Sequence, residues 1–500
     1  MSHRADNQPP ARDDSTEPEA VQSTVVVGAG HASRRGFLAA AVSLAAGAAL
    51  IGCDPPAARD RHLPSASDQL GGKPPADETP IREAPRPRPP RLVQRPSPPT
   101  SEPIVRVRIA TVRAPQRLIR IEGDGTRALI VSDPTAPAKT ISLPATIEST
   151  LNGWLVIEAA GSRGAGTYQF ATPWLDIRPA PGAKGVRVAK DIAGCGSLPW
   201  GVRLVSRTDE GLGAVDLVCH APMEEYLPGV LAKELYNSWS LETHTAQAIA
   251  ARSFAVCEIA QSLDSHFDVV AGEASQAWIG VTTHKQSLEA VRRTRGMLLL
   301  WEKRVVPAYY SSTCGGRPAN ATDAITNGEF NAIAPLQVGS DMVRDCCRSA
   351  PSWRWKMTLP LGETAKRIQL WARTDRPVMA RIDGLRSIEV SSVNATGRPV
   401  TFRLLDSKNQ TFEVPAERLR WAFNADVEGL PPVKTRVKSA DFTARVSGSN
   451  VTLEGRGFGH GVGLCQYGAE ALSKQGRTWR EILTRYYPGT EVFATYTVRG

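Results

Sequence analysis

Long apolar runs are what this 500-residue chain has least of. Residues 36–52 form a charge-free run of 17, mostly Ala and Gly. That is short and weakly hydrophobic beside the ~20 predominantly apolar residues of a membrane span. Basic helices, zinc-finger spacings and RNA-binding signatures are also missing, which argues against nucleic acid as a partner. No Lys-Ser or Lys-Thr pair follows the glycine-rich stretch at 455–463, and its glycines fail the G-x-G-x-x-G register at every offset. Neither a phosphate loop nor a dinucleotide turn is expected there. Residues 25–33 imitate the opening of a dinucleotide turn, but no helix and second strand follow them, so that reading falls too.

What is present suffices for real cores. The apolar fraction is 41%, and the length suggests roughly two or three domains at ~150 residues each. The net charge is +10; the first 52 residues carry 4 Arg against 5 acids, so the remainder stands near +11, spread rather than clustered. A diffuse positive balance suits an anionic polymer such as bacterial cell wall.

Ser33, Arg34, Arg35, Gly36, Phe37 and Leu38 form a twin-arginine pattern ahead of the apolar run, which ends in Leu50, Ile51, Gly52 and Cys53 like a bacterial lipobox. Residues 1–53 are therefore expected to be an export signal of the twin-arginine type. Cys53 would be acylated as the new N-terminus and anchor the chain to a membrane; simple cleavage, with Cys53 an ordinary residue, is the alternative. Residues 54–103 hold 14 of the 38 prolines, with 8 basic and 7 acidic side chains and no Phe, Tyr or Trp. Such a composition cannot bury enough apolar surface to offset its ordering entropy, which predicts an extended, disordered tether.

From residue 104 the pattern turns to strands. Residues 104–111 alternate apolar and basic side chains, and shorter candidates follow at 118–122, 128–131, 140–143, 155–157 and 186–188, separated by Gly, Pro, Asp and Asn. This predicts an antiparallel β-rich region over 104–200. Strands at 202–205 and 215–219 lead into two helices, opening a mixed α/β catalytic region over 201–500; the whole is an α+β chain. The first helix covers 226–235. The second begins near Ser240, its N-cap, with Glu242 suited to the positive end of the helix dipole. Ala246, Ile249, Ala250, Ser253 and Cys257 recur at helical spacing and give it a small apolar face. A helix at 285–294 and paired strands at 298–301 and 305–310 are expected further on.

Glu234 lies at the hinge between the first two helices, next to the rings of Tyr236 and Trp239. Sugar-cleaving sites use an acid beside an apolar wall, because the wall raises a carboxyl pKa. Near the C-terminus, glycines on alternate positions 455–463 would weaken a strand interior. They mark backbone that something approaches closely, with His460 displayed at the middle.

Glu225, Tyr226, Leu227, Gly229, Val230, Glu234, Trp239, Ala246, Gln247, Ala248, Ala250, Ala251, Arg252, Ser253, Phe254 and Ala255 together resemble the signature of the SpoIID/LytB family, named for stage II sporulation protein D and the amidase enhancer LytB. Ser275, Gln276, Trp278 and Gly280 are similar to a second family step, and Ser312, Thr313, Gly315 and Gly316 to a third. Arg317, Pro318 and Ala319 replace the usual polar residues there, and Lys233 stands where the family often has Gly. Gly457, Gly459, His460, Gly461, Gly463, Gln466, Gly468 and Ala469 match the family's glycine-histidine run. The resemblance covers residue 104 to the end.

It implies a peptidoglycan lytic transglycosylase acting on glycan strands, with Glu234 as the single catalytic carboxylate and no cofactor required. Ordinary glycosidases need two carboxylates. Here the C6 hydroxyl of N-acetylmuramic acid attacks, so one Glu can protonate the glycosidic oxygen and then accept the hydroxyl proton as a 1,6-anhydro ring closes. His460, Gln276, Gln466, Tyr467, Trp239, Trp278, Arg252 and Ser312 are the substrate-binding candidates. The histidine would orient substrate or stabilise charge, the amides and hydroxyls would meet N-acetyl and hydroxyl groups, and the tryptophans would stack on sugar faces. Each has a structural competitor: a core tryptophan, a packing glutamine, or an arginine that fixes a loop or carboxylate. The runner-up function is a non-catalytic wall-binding enhancer of a cell-wall amidase, and a structural envelope lipoprotein comes third.

Cys314, Cys346 and Cys347 occupy loop-like sequence of an exported chain. A disulfide from Cys314 to one of the pair is the first expectation. Zinc is the second, less favoured because no histidine lies close by. Cys195, Cys219, Cys257 and Cys465 read as small buried hydrophobes or a further bridge.

Overall fold

The computed structural model describes residues 94–497, apart from 114–117, 124–126, 160–165, 208–213, 273–274, 326–327, 340–345 and residue 376. The twin-arginine pattern, Cys53 and residues 54–93 of the expected tether lie outside the described residues. Among those described, no helix is long and apolar enough to cross a membrane.

The chain is α+β, as its pattern predicts. Ile104–Val112 buries Val105 and Val107 while Arg106 and Arg108 reach Asp268 and Asp216. It is the second strand of a seven-stranded sheet in the order Val269–Val270, Ile104–Val112, Ala214–Pro222, Val202–Arg207, Trp174–Pro179, Arg127–Val131, Lys139–Ser142. All neighbours are antiparallel except Val269–Val270, which pairs parallel with Ile104–Val112. Strands from both sides of residue 200 thus share one sheet. A five-stranded sheet built from Leu118–Gly123, Ala145–Thr150, Gly153–Glu158, Thr167–Phe170 and Val186–Val188 shares its core, where Val105, Leu204, Ile119 and Trp154 meet.

Residues 94–103, assigned by composition to the tether, are held by the body. Arg95 Nη1 donates to the Trp301 carbonyl at 2.9 Å, Val305 N donates to the Pro96 carbonyl at 2.9 Å, and Glu224 N donates to Glu102 Oε1 at 2.8 Å. Proline-rich backbone lacks donors but keeps its carbonyls, so it docks by accepting.

The expected helices form as α1 (Met223–Glu234), α2 (Leu241–Gln261) and α3 (Lys285–Arg293). Ser240 caps α2, its Oγ accepting from Thr243 N at 3.2 Å. Gly229 lets α1 press on the loop before α3, since a Cβ there would meet the Gly280 carbonyl at 2.1 Å. In place of one apolar face, α2 is buried all round from Thr243 to Cys257. Ala248, Ala251 and Ala255 enter the sheet core, whereas Ala246, Ile249, Ala250 and Phe254 enter a second core with Tyr309, Leu464 and Tyr487. Small side chains let neighbours approach a helix from every side.

After α4 (Ala321–Ala324) comes a third core that the sequence pattern did not single out. Helices α5 (Leu361–Asp375) and α6 (Ala416–Asn424) pack there with the strands Ser387–Val393, Pro399–Leu405 and Thr411–Pro415, and with Trp355–Pro360, Phe442–Ser447 and Asn450–Gly455. Helices α7 (Gln466–Lys474) and α8 (Trp479–Tyr486) follow, and the strand Glu491–Ala494 then pairs antiparallel with Met297–Trp301.

One charge lies in the middle of α2. Arg252 is fully buried and bidentate on Glu224 of α1, Nε to Oε1 at 2.9 Å and Nη2 to Oε2 at 2.7 Å. Glu224 also accepts from Tyr496 Oη at 2.6 Å and Gly296 N at 3.2 Å, and Arg252 Nη1 donates to the Met297 carbonyl at 3.1 Å. Removing one partner of such a pair leaves an uncompensated buried charge, at about 3–5 kcal/mol. Arg252→Met and Glu224→Gln should each lose stability of that order in urea unfolding, and the double variant should lose less than the sum.

Candidate active site

The carboxylate of Glu234 stands half-buried at the last turn of α1, where three distant segments converge. Its Oε1 accepts from Ala277 N at 2.8 Å, and its Oε2 accepts from Gln466 Nε2, at the start of α7, at 3.1 Å. Beside it the rings of Tyr236, Trp239 and Tyr467 pack together, with centroids 4.9 to 6.1 Å apart and the two phenol oxygens 3.1 Å apart. Tyr236 is 42% exposed and Tyr467 half-buried, whereas Trp239 is wedged behind them. The rings open to solvent are therefore the tyrosines. A groove of about 690 Å³ lined by Ala232, Asn237, Thr282, His284 and Lys285 adjoins this end of α1.

Beneath Glu234 runs a buried polar chain. Tyr226 Oη donates to Gln276 Oε1 at 2.9 Å, and Gln276 Nε2 donates to Tyr310 Oη at 2.9 Å and to the Ala251 carbonyl at 3.2 Å. Burial, and after it the charge of Glu234, push both phenols well above their usual range. Gln276 is 0% exposed and spends its amide on this chain, so it does not face a ligand.

Trp278 is also core, against Tyr226 and Trp200, with Nε1 donating to the Tyr226 carbonyl at 3.0 Å; no face remains for a sugar. Arg252 is the buried partner of Glu224 and reaches no surface. Ser312 enters through its carbonyl, which accepts from Tyr467 N at 3.1 Å. Of the expected binding residues, the structure gathers Gln466, Tyr467 and Trp239 at Glu234, and Ser312 behind them. The Ala277 amide and the exposed Tyr236 ring complete the group. A backbone donor leaves no signal in sequence; Tyr236 was legible in its nearness to Glu234.

His460 is turned inward. Its Nδ1 accepts from Val462 N at 3.0 Å, its ring bonds the Tyr310 backbone, and Tyr309 lies edge-on with centroids 6.1 Å apart. The alternate glycines serve the same packing. A Cβ at Gly463 would meet the Tyr309 carbonyl at 2.1 Å and one at Gly459 would meet Ser311 Cβ at 2.8 Å, so what approaches this backbone is the chain's own strand. Arg398, buried in the third core's hairpin, donates to the His460 carbonyl at 3.0 Å from the other side.

Burial pushes the imidazole down to about 4; Glu417 opposes this, while Arg420 and Arg398 add to it. The ring is thus neutral at pH 7. In the unfolded chain it would titrate near 6.5. Between those values the unfolded state binds more protons, so this stabilisation is whole above about 6.5 and drains as pH falls to about 4. His460→Gln should therefore lose a few °C less in Tm than wild type between pH 7 and pH 4. Thermal melts with parallel acid limbs would show that the ring is not held neutral.

The cysteines meet differently from expectation. Cys314 and Cys347 come together as thiols with Sγ atoms 3.7 Å apart, and no disulfide joins them. The third member is Cys465, read from sequence as a small hydrophobe or part of another bridge, because the glycine run delivers it to the Ser312 turn. Cys346 instead accepts from Arg485 Nη2 at 3.1 Å.

Comparison with known proteins agrees with the motifs. Residues 212–301 match the family model described as Stage II sporulation protein, SpoIID, so the resemblance is borne out for that segment. The chain is 26% identical over 272 residues to an uncharacterised protein of Brachyspira hyodysenteriae, covering 54% of this chain and 66% of that one. It is 26% identical over 304 residues to the amidase enhancer of Bacillus subtilis, covering 53% of this chain and 40% of the enhancer. It is 25% identical over 287 residues to stage II sporulation protein D of the same organism, covering 54% and 74%. The chain thus spans less than two thirds of the length of the first two relatives.

Proposed function

We propose that this chain, which carries a SpoIID-type segment and has a cell-wall-related function, is an exported peptidoglycan lytic transglycosylase with Glu234 as its acid and base. The observation that carries this reading is the contact between Gln466 Nε2 and Glu234 Oε2 at 3.1 Å. A glutamine can serve both protonation states of a neighbouring carboxyl. Its NH₂ donates to the carboxylate, and after a half-turn of the amide its carbonyl accepts from the acid. A group that must give a proton to the glycosidic oxygen and then take one from the C6 hydroxyl needs that kind of partner.

Two N–H groups, from Ala277 and Gln466, donate to the two oxygens of the Glu234 carboxyl group. A glycan chain laid over Tyr236 and Tyr467 would exclude water and favour the acid before cleavage. The 1,6-anhydro end then forms intramolecularly, with the sugar's own hydroxyl as nucleophile. In this reading the twin-arginine signal exports the chain and acylated Cys53 tethers it to a membrane within reach of the wall. A second reading is favoured by one finding, the likeness to a protein named amidase enhancer: the tyrosine face would bind wall without cutting it and would stimulate a cell-wall amidase.

Purified protein incubated with denuded glycan strands should give anhydro-ended products by mass spectrometry. Glu234→Gln should cut their rate by 10²–10⁴, the usual worth of acid–base catalysis, while its melting temperature and glycan pull-down stay near wild type. Gln466→Leu should lose roughly tenfold or more by the same assay. Identical traces from wild type and Glu234→Gln would end the enzyme reading, and stimulation of an added amidase by both proteins would then establish the second.

A further inference from the structure

Outside the Glu234 site, three cysteines from separate segments converge: Cys314 in the turn after Ser312, Cys347 in the loop beyond residue 345, and Cys465 just before α7. Their Sγ atoms all lie within 4.8 Å of one another, and the Cys314–Cys347 pair is 3.7 Å apart. Cys347 and Cys465 are 1% and 2% exposed. Zinc–thiolate bonds of about 2.3 Å at tetrahedral angles place sulfurs about 3.8 Å apart. A disulfide would need about 2.05 Å. The Cys314–Cys347 spacing matches that of two ligands on one ion, and Cys465 lies within reach of the same ion.

We propose that Cys314, Cys347 and Cys465 bind one zinc ion as three thiolates, with the fourth coordination position facing the adjoining cavity. That cavity, about 520 Å³, is lined by Cys314 and Cys347 together with Cys346, Arg480, Arg485 and Tyr486. Soft sulfur donors select a thiophilic ion over magnesium or calcium. Cys346 belongs to Arg485 and supplies no ligand.

The ion has a mechanical consequence. Cys314 lies two residues after Ser312, whose carbonyl takes the Tyr467 N–H, and Cys465 directly precedes Gln466. Zinc would fasten the 311–316 turn to the start of α7 and so fix the residues that meet Glu234. Binding to the folded state alone adds its free energy to folding. The inference needs neither the enzyme nor the enhancer reading.

The test is metal content. Protein purified under reducing conditions without chelator should carry about one zinc per chain by elemental mass spectrometry. Cys314→Ser, Cys347→Ser and Cys465→Ser should each fall below about a tenth of that, while Cys195→Ser and Cys346→Ser keep it. Chelation should lower the melting temperature of wild type but not that of Cys465→Ser. Cobalt exchanged into wild type should show near-ultraviolet sulfur-to-metal charge transfer with the intensity of three thiolates, a readout independent of how the variants fold. A metal-free wild type, a Cys314–Cys347 disulfide in thiol counting, or loss of zinc in Cys346→Ser would each overturn the proposal.

Discussion

The bidentate contact between Arg252 and Glu224 constrains everything around it. A guanidinium in the middle of a buried helix is tolerable only if its donors are met; its partners come from α1 and from the turn after α3, and Tyr496 of the C-terminal segment donates in turn to Glu224. Because α1 and α2 are fixed to each other at this point, the hinge from Leu235 to Trp239 is fixed as well. Glu234 inherits its place from that hinge. The two sheets and the second core are then built on opposite sides of α2, whose small residues serve both.

The site is assembled from parts far apart in the chain. Glu234 and Gln466 are separated by 232 positions, and each depends on packing behind it. The polar chain Tyr226–Gln276–Tyr310 seats the Ala277 amide under the carboxylate. The glycine run carries Gln466 to the other side, clasped between the 309–313 segment and Arg398. Residues that looked like ligand contacts, Gln276, Trp278 and His460, thus support the site from beneath.

Much of this was legible in the sequence, for identifiable reasons. Alternating strands such as Ile104–Val112 and the capped helix α2 announced themselves because each has one dominant local pattern. The strands Ala145–Thr150 and Trp174–Pro179 escaped notice because each alternation is short, with only Ala145 and Ile147 apolar in one and Leu175 and Ile177 flanked by Pro173 and Pro179 in the other. The third core was missed because no motif marks its elements, although α5 is longer than α1. Trp278 and Gln276 show a different limit, since residue type gives the chemistry a side chain can do but not which way it faces. Composition counts apolar surface and ignores single polar contacts, and residues 94–103 are held by such contacts: the carbonyls of Pro96 and Pro103 and the side chains of Arg95 and Glu102.

A side chain as free as glutamine is held closely against Glu234. What holds it lies in the first turn of α7. Tyr467 N is tied to the Ser312 carbonyl, and Glu470 one turn later accepts from Ser240 N at 3.0 Å and from Thr243 Oγ1 at 2.9 Å. Those bonds join α7 to the cap of α2, the same helix that positions α1 through Arg252. Both sides of the Glu234–Gln466 contact are therefore referred to one rigid body, and only the amide rotation is left free. That is the motion the proposed two-way proton partner would require, and under that proposal misplacement by about 1 Å at either end would cost far more rate than the loss of any one exposed contact.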